Sequence, residues 1–147
     1  MSRISVDDMM MQVAHTISNR ATCPRGCVGA VIVSPSRRIL STGYNGVPKN
    51  FPHCTETGCL RGEDGKHLYL LHAEENAVIN AAYEGVSLAG AIAYVTKAPC
   101  SHCAAVLIQA GISKIIYSDN DDISQDTYKL LNTCNVEIVK INGGQNA

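Results

Sequence analysis

The sequence predicts an α/β layered sheet. A compact β-rich run at Val28–Val33 is followed by a returning run at Ile39–Tyr44, which reads as a hairpin. From His72 onward, helical and strand-like segments alternate as far as Ile141. Helix-starting and helix-stopping residues stand at the junctions. With 147 residues the chain can enclose an apolar core, and it reads as one domain over 1–147. There is no internal repeat or low-complexity stretch.

Ser5 can cap a first helix whose opening turn carries Asp7 and Asp8, favourable against the helix dipole. Met10, Val13, Ala14 and Ile17 then share one face, with His15 off it and expected at the surface. Cys23–Cys27 is a short turn-like segment, and Ser34–Arg38 breaks the hairpin. Asn45–Gly65, rich in Gly and Pro, is expected to be a long irregular loop, a length that points to function or to some tie other than a core. His72–Glu84 is helical, with Ala77, Val78 and Ala81 inward and Gly85 as the stop. Ala91–Thr96 is a buried strand. Pro99 suits the first turn of the next helix, which ends at Gly111. Lys114–Ser118 is strand, about Ile123–Asn132 helix, and Val136–Ile141 strand, with a loose tail after it.

Composition excludes some classes of function. Apolar residues are 46%, charged residues 17% and the net charge is −1, which gives no broad attraction to nucleic acid or to anionic membranes. No apolar run approaches the length of a bilayer span, and Met1–Ser18 has amphipathic spacing rather than that of a signal peptide. Seven cysteines without an export signal point to metal binding or free thiols, hence to a cytoplasmic protein. Cys27 and Cys134 read as small buried residues.

Chemistry concentrates in two stretches, His72-Ala73-Glu74 and Pro99-Cys100-Ser101-His102-Cys103, each opening a helix. One histidine and two cysteines can supply three ligands to a zinc ion and leave a fourth position for water, as catalytic zinc requires. Zinc lowers the pKa of bound water toward about 7, which makes hydroxide available at neutral pH. A helix N-terminus favours the thiolate form that both cysteines need. Glu74, two residues past the histidine, is free to move protons as general base and general acid. His102 points elsewhere on the helix and is read as exposed. A lone Cys-x-x-Cys is as easily half of a structural site; the combination and its order carry the catalytic reading.

The order H-x-E…P-C-x-x-C is the signature of zinc-dependent deaminases. Together with Val28–Val33, Ser41–Gly46, His72–Ala77, Ala98–Ala104 and Gln109–Ile112, it makes the chain resemble the deoxycytidylate (dCMP) deaminases of bacteria and phages. The likeness runs from about Arg20 to Ile141 and lies within the cytidine deaminase superfamily. The His-Ala-Glu and Pro-Cys-x-x-Cys motifs are shared across that superfamily, while Gly43–Gly46 and the following Pro52-His53-Cys54 are more specific to the dCMP branch.

The resemblance implies a three-layer α/β/α fold with a five-stranded mixed sheet, the first two strands antiparallel and the last three parallel. It implies zinc-dependent hydrolysis of dCMP to dUMP and ammonia in nucleotide biosynthesis. Asn45 would hydrogen-bond the nucleoside, and the Ala73 amide would hold the pyrimidine carbonyl. Arg25 and Tyr117 are candidates for the 5′-phosphate, arginine because its fork matches phosphate oxygens. Family members are commonly hexamers, activated by dCTP and inhibited by dTTP with Mg2+, near Gly43, Tyr44, Asn45 and Gly46. A second, structural Zn2+ is implied at Cys23 and Cys54. Many relatives have a further cysteine four residues before the catalytic histidine, where this chain has Leu68, so Cys59 and His67 are taken to complete the set, with His53 in reserve. The alternatives are another deaminase of the same fold, acting on cytidine or on adenosine in tRNA, or a non-catalytic zinc-stabilised binding module. Against tRNA stands the absence of a basic balance.

Overall fold

The computed structural model describes residues 2–23, 26–58 and 60–142. Ser5 starts the first helix as expected: its hydroxyl accepts from the Asp8 amide at 3.0 Å, opening α1 (Val6–Ser18). The hairpin strands β1 (Gly29–Val33) and β2 (Ile39–Tyr44) follow. After them come the short α2 (Cys54–Thr57), α3 (Ala73–Glu84) and β3 (Ile92–Val95). The described chain closes with α4 (Ser101–Ala110), β4 (Lys114–Tyr117), α5 (Gln125–Thr133) and β5 (Glu137–Lys140).

The strands form one five-stranded sheet in the order β2-β1-β3-β4-β5. The tight Ser34–Arg38 turn can only return β2 antiparallel to β1, and β1 is also antiparallel to β3. Helical crossovers through α4 and α5 keep β3, β4 and β5 parallel. Alternation along the strands sends Val31, Val33, Tyr94 and Ile116 to one face, under Met10, Met11 and Ala14 of α1. Ala30, Ile32, Ala93, Val95 and Ile115 face the other, against Ala77, Ala104, Leu107 and Leu131 of the remaining helices. Both β1 and β3 are buried on both faces, which is why they read as unbroken apolar runs.

Two glycines permit the closest layer contacts. A Cβ at Gly29 would come closer than 3.0 Å to backbone atoms of Ala14 and Ser18. One at Gly43 would do the same to Ala73 and Ala77. The main chains of α1 and α3 therefore lie directly on the hairpin, with no side chain between them.

Several expectations need correction. Cys27 and Cys134 are exposed, not core. Cys27 lies ahead of β1 with its thiol turned to the carbonyls of Ala21 and Cys23, and Cys134 is the C-cap of α5. Met11 is fully buried while Val13 and Ile17 are only partly so, because α1 packs across β1, β2 and β3 rather than along one narrow stripe. The same breadth half-buries His15, whose Nε2 has no partner among the described residues; burial pushes its pKa down. Pro99 precedes α4 instead of entering its first turn, since Cys100 takes the N-cap. The long loop contains α2 and is tied by backbone pairing of Gly46 with Leu71 and of Arg61 with His67.

A half-buried polar cluster fastens α1 to the sheet. The Tyr94 hydroxyl donates to Asp7 at 2.6 Å, and Arg37 donates both to Asp7 at 2.7 Å and to the Tyr94 oxygen. Burial raises the Asp7 pKa, but the hydrogen bonds from Tyr94 and Arg37 and the Arg37 charge outweigh it and hold the carboxyl below the usual carboxylate range. Its pKa is lowered on folding, so the stability it contributes is in place above that range and is lost as pH falls through the lowered value. Tyr94→Phe should cost about 1–2 kcal/mol by removing the central hydroxyl. Thermal melts should also show the gap between wild type and Asp7→Asn closing as the medium is acidified.

Candidate active site

One edge of the sheet collects the chemistry. The approach to β1, the exit of β2, the exit of β3 and the start of α3 all end there, at the C-terminal ends of the parallel strands where α/β proteins place their sites. Between them is a cavity of about 250 Å³, lined by Cys23, Gly26, Val28, Asn45, Leu70, His72, Ala73, Glu74, Lys97, Ala98 and Cys100.

His72 is the extended N-cap residue of α3, and its backbone amide donates to the Glu75 carboxylate at 2.9 Å. Cys100 is the N-cap of α4, and its Sγ accepts the Cys103 amide at 3.4 Å in the role that Ser or Asp usually fills. The two helix starts thus bring three ligating atoms within 4.8 Å of one another, on His72, Cys100 and Cys103. Among the described residues this is the one such group of three or more. His72 Nδ1 lies 3.2 Å from Cys103 Sγ and 3.8 Å from Cys100 Sγ. Zinc bonded at about 2.0–2.3 Å spaces tetrahedral ligands roughly 3.5 Å apart, so these separations bracket the required edge. Cys103 is fully buried, whereas His72 and Cys100 are exposed, so the open side of the triad faces the cavity.

The donor chemistry fits a cation as well. Burial, then the charges of Glu74 and Cys100, push the Cys103 thiol up. A divalent ion among them would oppose those effects by favouring the thiolate.

Glu74 follows His72 by two residues in the first turn of α3 and is 5% exposed. Burial raises its pKa, and this exceeds the opposing effects of its own backbone amide, His72 and Cys103. A carboxyl held nearer neutrality beside an open ligand triad is suited to carrying protons. His102 is exposed, as expected, and its Nε2 lies 3.4 Å from Glu75.

The other predicted residues divide. Asn45 lines the cavity, yet its Oδ1 accepts from Val28 at 2.7 Å and its Nδ2 donates to Gly26 at 2.9 Å, so it also holds the approach to β1. Ala73 lines the cavity floor. Tyr117 does not line it: its hydroxyl accepts from the Ile123 amide at 3.4 Å. Arg25 and Cys59 lie outside the described residues. Cys54 Sγ and His67 Nε2 are 2.9 Å apart, while Cys23 lines the cavity beside Cys100. Tyr44 and Gly46 line a separate, larger groove of about 910 Å³ with Lys49, Asn76, Asn80 and Tyr83. The sequence reading missed Lys97, the sole lysine or arginine among the described residues lining this cavity. Its position three residues before Cys100, at a strand exit, was the available signal.

Fold and site define a class: α/β/α domains that offer a metal three ligands beside a buried acid. Residues 4–119 match the cytidine and deoxycytidylate deaminase zinc-binding region. The chain belongs to that family. It is 40% identical over 120 residues to ComE operon protein 2 of Bacillus subtilis, covering 82% of this chain and 62% of that protein. It is 34% identical over 141 residues to a deoxycytidylate deaminase of Saccharomyces cerevisiae, covering 92% and 45%. The chain therefore spans about half the length of these two relatives. The crystal structure of a dCMP deaminase from the cyanophage S-TIM5 in complex with dCMP and dUMP superposes with a TM-score of 0.80 at 31% identity, covering 96% of this chain and 100% of that one. The mixed sheet implied by the resemblance is the one observed.

Proposed function

We propose that the chain is a zinc-dependent hydrolase that converts dCMP to dUMP and ammonia. The observation that carries this reading is the convergence of His72, Cys100 and Cys103 beside buried Glu74, with His72, Glu74 and Cys100 lining one cavity. The likeness to an enzyme crystallised with dCMP and dUMP supports the substrate.

His72, Cys100 and Cys103 would hold the zinc, which when bound supplies an acidified water as nucleophile. Glu74 takes the water proton and passes it to the ring N3 as hydroxide adds at C4. It then takes the proton of the new C4 hydroxyl and gives it to the amine, so that the C4–N bond breaks and leaves a carbonyl and ammonia. The Ala73 amide and Asn45 orient the base and sugar, with Arg25 assigned to the phosphate end; Tyr117, outside the cavity lining, is withdrawn from that role. Burial of the floor keeps bulk water from competing with these contacts.

The same reading extends to a single domain, a cytoplasmic enzyme, a hexamer, and control by dCTP and by dTTP with Mg2+ through Gly43, Tyr44, Asn45 and Gly46. The groove lined by Tyr44 and Gly46 lends the effector assignment support. A second zinc is assigned to Cys23, Cys54, Cys59 and His67; the Cys54–His67 pair supports it, whereas Cys23 does not join that pair in a group of three among the described residues. No helix among the described residues is long and apolar enough to cross a membrane.

The test is ammonia release from dCMP, cytidine, dCTP and adenosine, with dCTP and dTTP added as effectors. The expected result is a preference for dCMP; a faster reaction with cytidine or adenosine would transfer the assignment to another deaminase of this fold, and silence on all four favours the binding module. Metal analysis should find two zinc ions per chain, and a value of one would remove the second site.

A further inference from the structure

We infer that Lys97 is the specificity residue that selects the anionic nucleotide over the uncharged nucleoside. The inference rests on the deaminase reading above and deepens it. A cytosine nucleotide whose base lies against Glu74 and His72 must still place its phosphate within reach of the lining of this cavity. A cation held there favours the anionic nucleotide over the uncharged nucleoside. Lys97 is the lysine or arginine that the described lining offers, and it is exposed rather than buried in a structural ion pair.

Its backbone is held on both sides. Thr96 donates its amide to the Gly29 carbonyl at 3.0 Å and accepts the Gly29 amide on its hydroxyl at 3.1 Å. The Ala98 amide donates to Asp119 at 3.3 Å, which ties the same turn to the exit of β4. A flexible four-carbon stem therefore rises from a fixed base at the rim. Anchored Cα and mobile ammonium together suit recognition of a phosphate as a point charge.

The measurement is kcat/KM for dCMP and for deoxycytidine in wild type, Lys97→Gln, Lys97→Glu and Lys97→Arg, with zinc content and thermal melts recorded for each. For Lys97→Gln the ratio of dCMP to deoxycytidine should fall roughly 10- to 100-fold, the scale of one hydrogen bond to a charged group. Lys97→Glu should lower it further, and Lys97→Arg should keep it within a few-fold of wild type. An unchanged ratio, or equal losses on both substrates, overturns the assignment while leaving the deaminase reading intact. A wild type that favours deoxycytidine, or that releases ammonia from neither, overturns both.

Discussion

Replacing Glu74 with Gln should abolish most ammonia release while zinc stays bound. The substitution keeps volume and burial and removes the titrating oxygen, so proton transfer is lost and ligand geometry is kept. General acid–base catalysis by one positioned group contributes roughly 100- to 10,000-fold, and a loss of that size in kcat is expected. Zinc content should be unchanged, because His72, Cys100 and Cys103 remain. Stability offers a second readout. The Glu74 pKa is raised by burial, so in metal-free protein the stability it permits is present below the ordinary carboxylate range and declines as pH rises through the raised value. Glu74→Gln should flatten that decline. Activity surviving at the wild-type level would remove Glu74 from the chemistry.

The second large effect is expected at Gly43→Ala. An added Cβ would press on backbone atoms of Ala73 and Ala77, and backbone cannot turn aside as a side chain does. Overpacking of this kind costs about 1–3 kcal/mol. Ala73 lies between His72 and Glu74, so the displacement of α3 should also lower zinc affinity and turnover. Gly46→Ala is the control, since a Cβ there meets nothing within 4 Å. Its melting temperature should remain near wild type. If the effector segment is correctly assigned, its altered property is the response to dCTP and dTTP. Equal melting temperatures for the two variants would show that Gly43 is not needed for the close approach.

Much of this molecule was legible in the chain. Ser5 and Gly85 marked their helix ends because caps act through backbone groups only a few residues away. The two motif stretches were legible because ligand type and spacing are local, and a helix start fixes where Cys100 and Cys103 lie relative to each other. Residues whose environment is made by distant segments were misread. Cys27 and Cys134 look like core residues by composition, yet one precedes a strand and the other caps a helix at the surface. His15 looked exposed until three strands were laid beneath α1.

The sequence by itself determined the element types and the hairpin, and it offered the three candidate ligands and the acid beside them, because each depends on short-range pattern and on residue chemistry. Tertiary structure alone decided that His72 meets Cys100 and Cys103, that Asn45 is bound into the cavity wall, and that Lys97 stands at the rim while Tyr117 does not. Strand order and layer packing set those relations, and they join residues too far apart in the chain for periodicity to connect them.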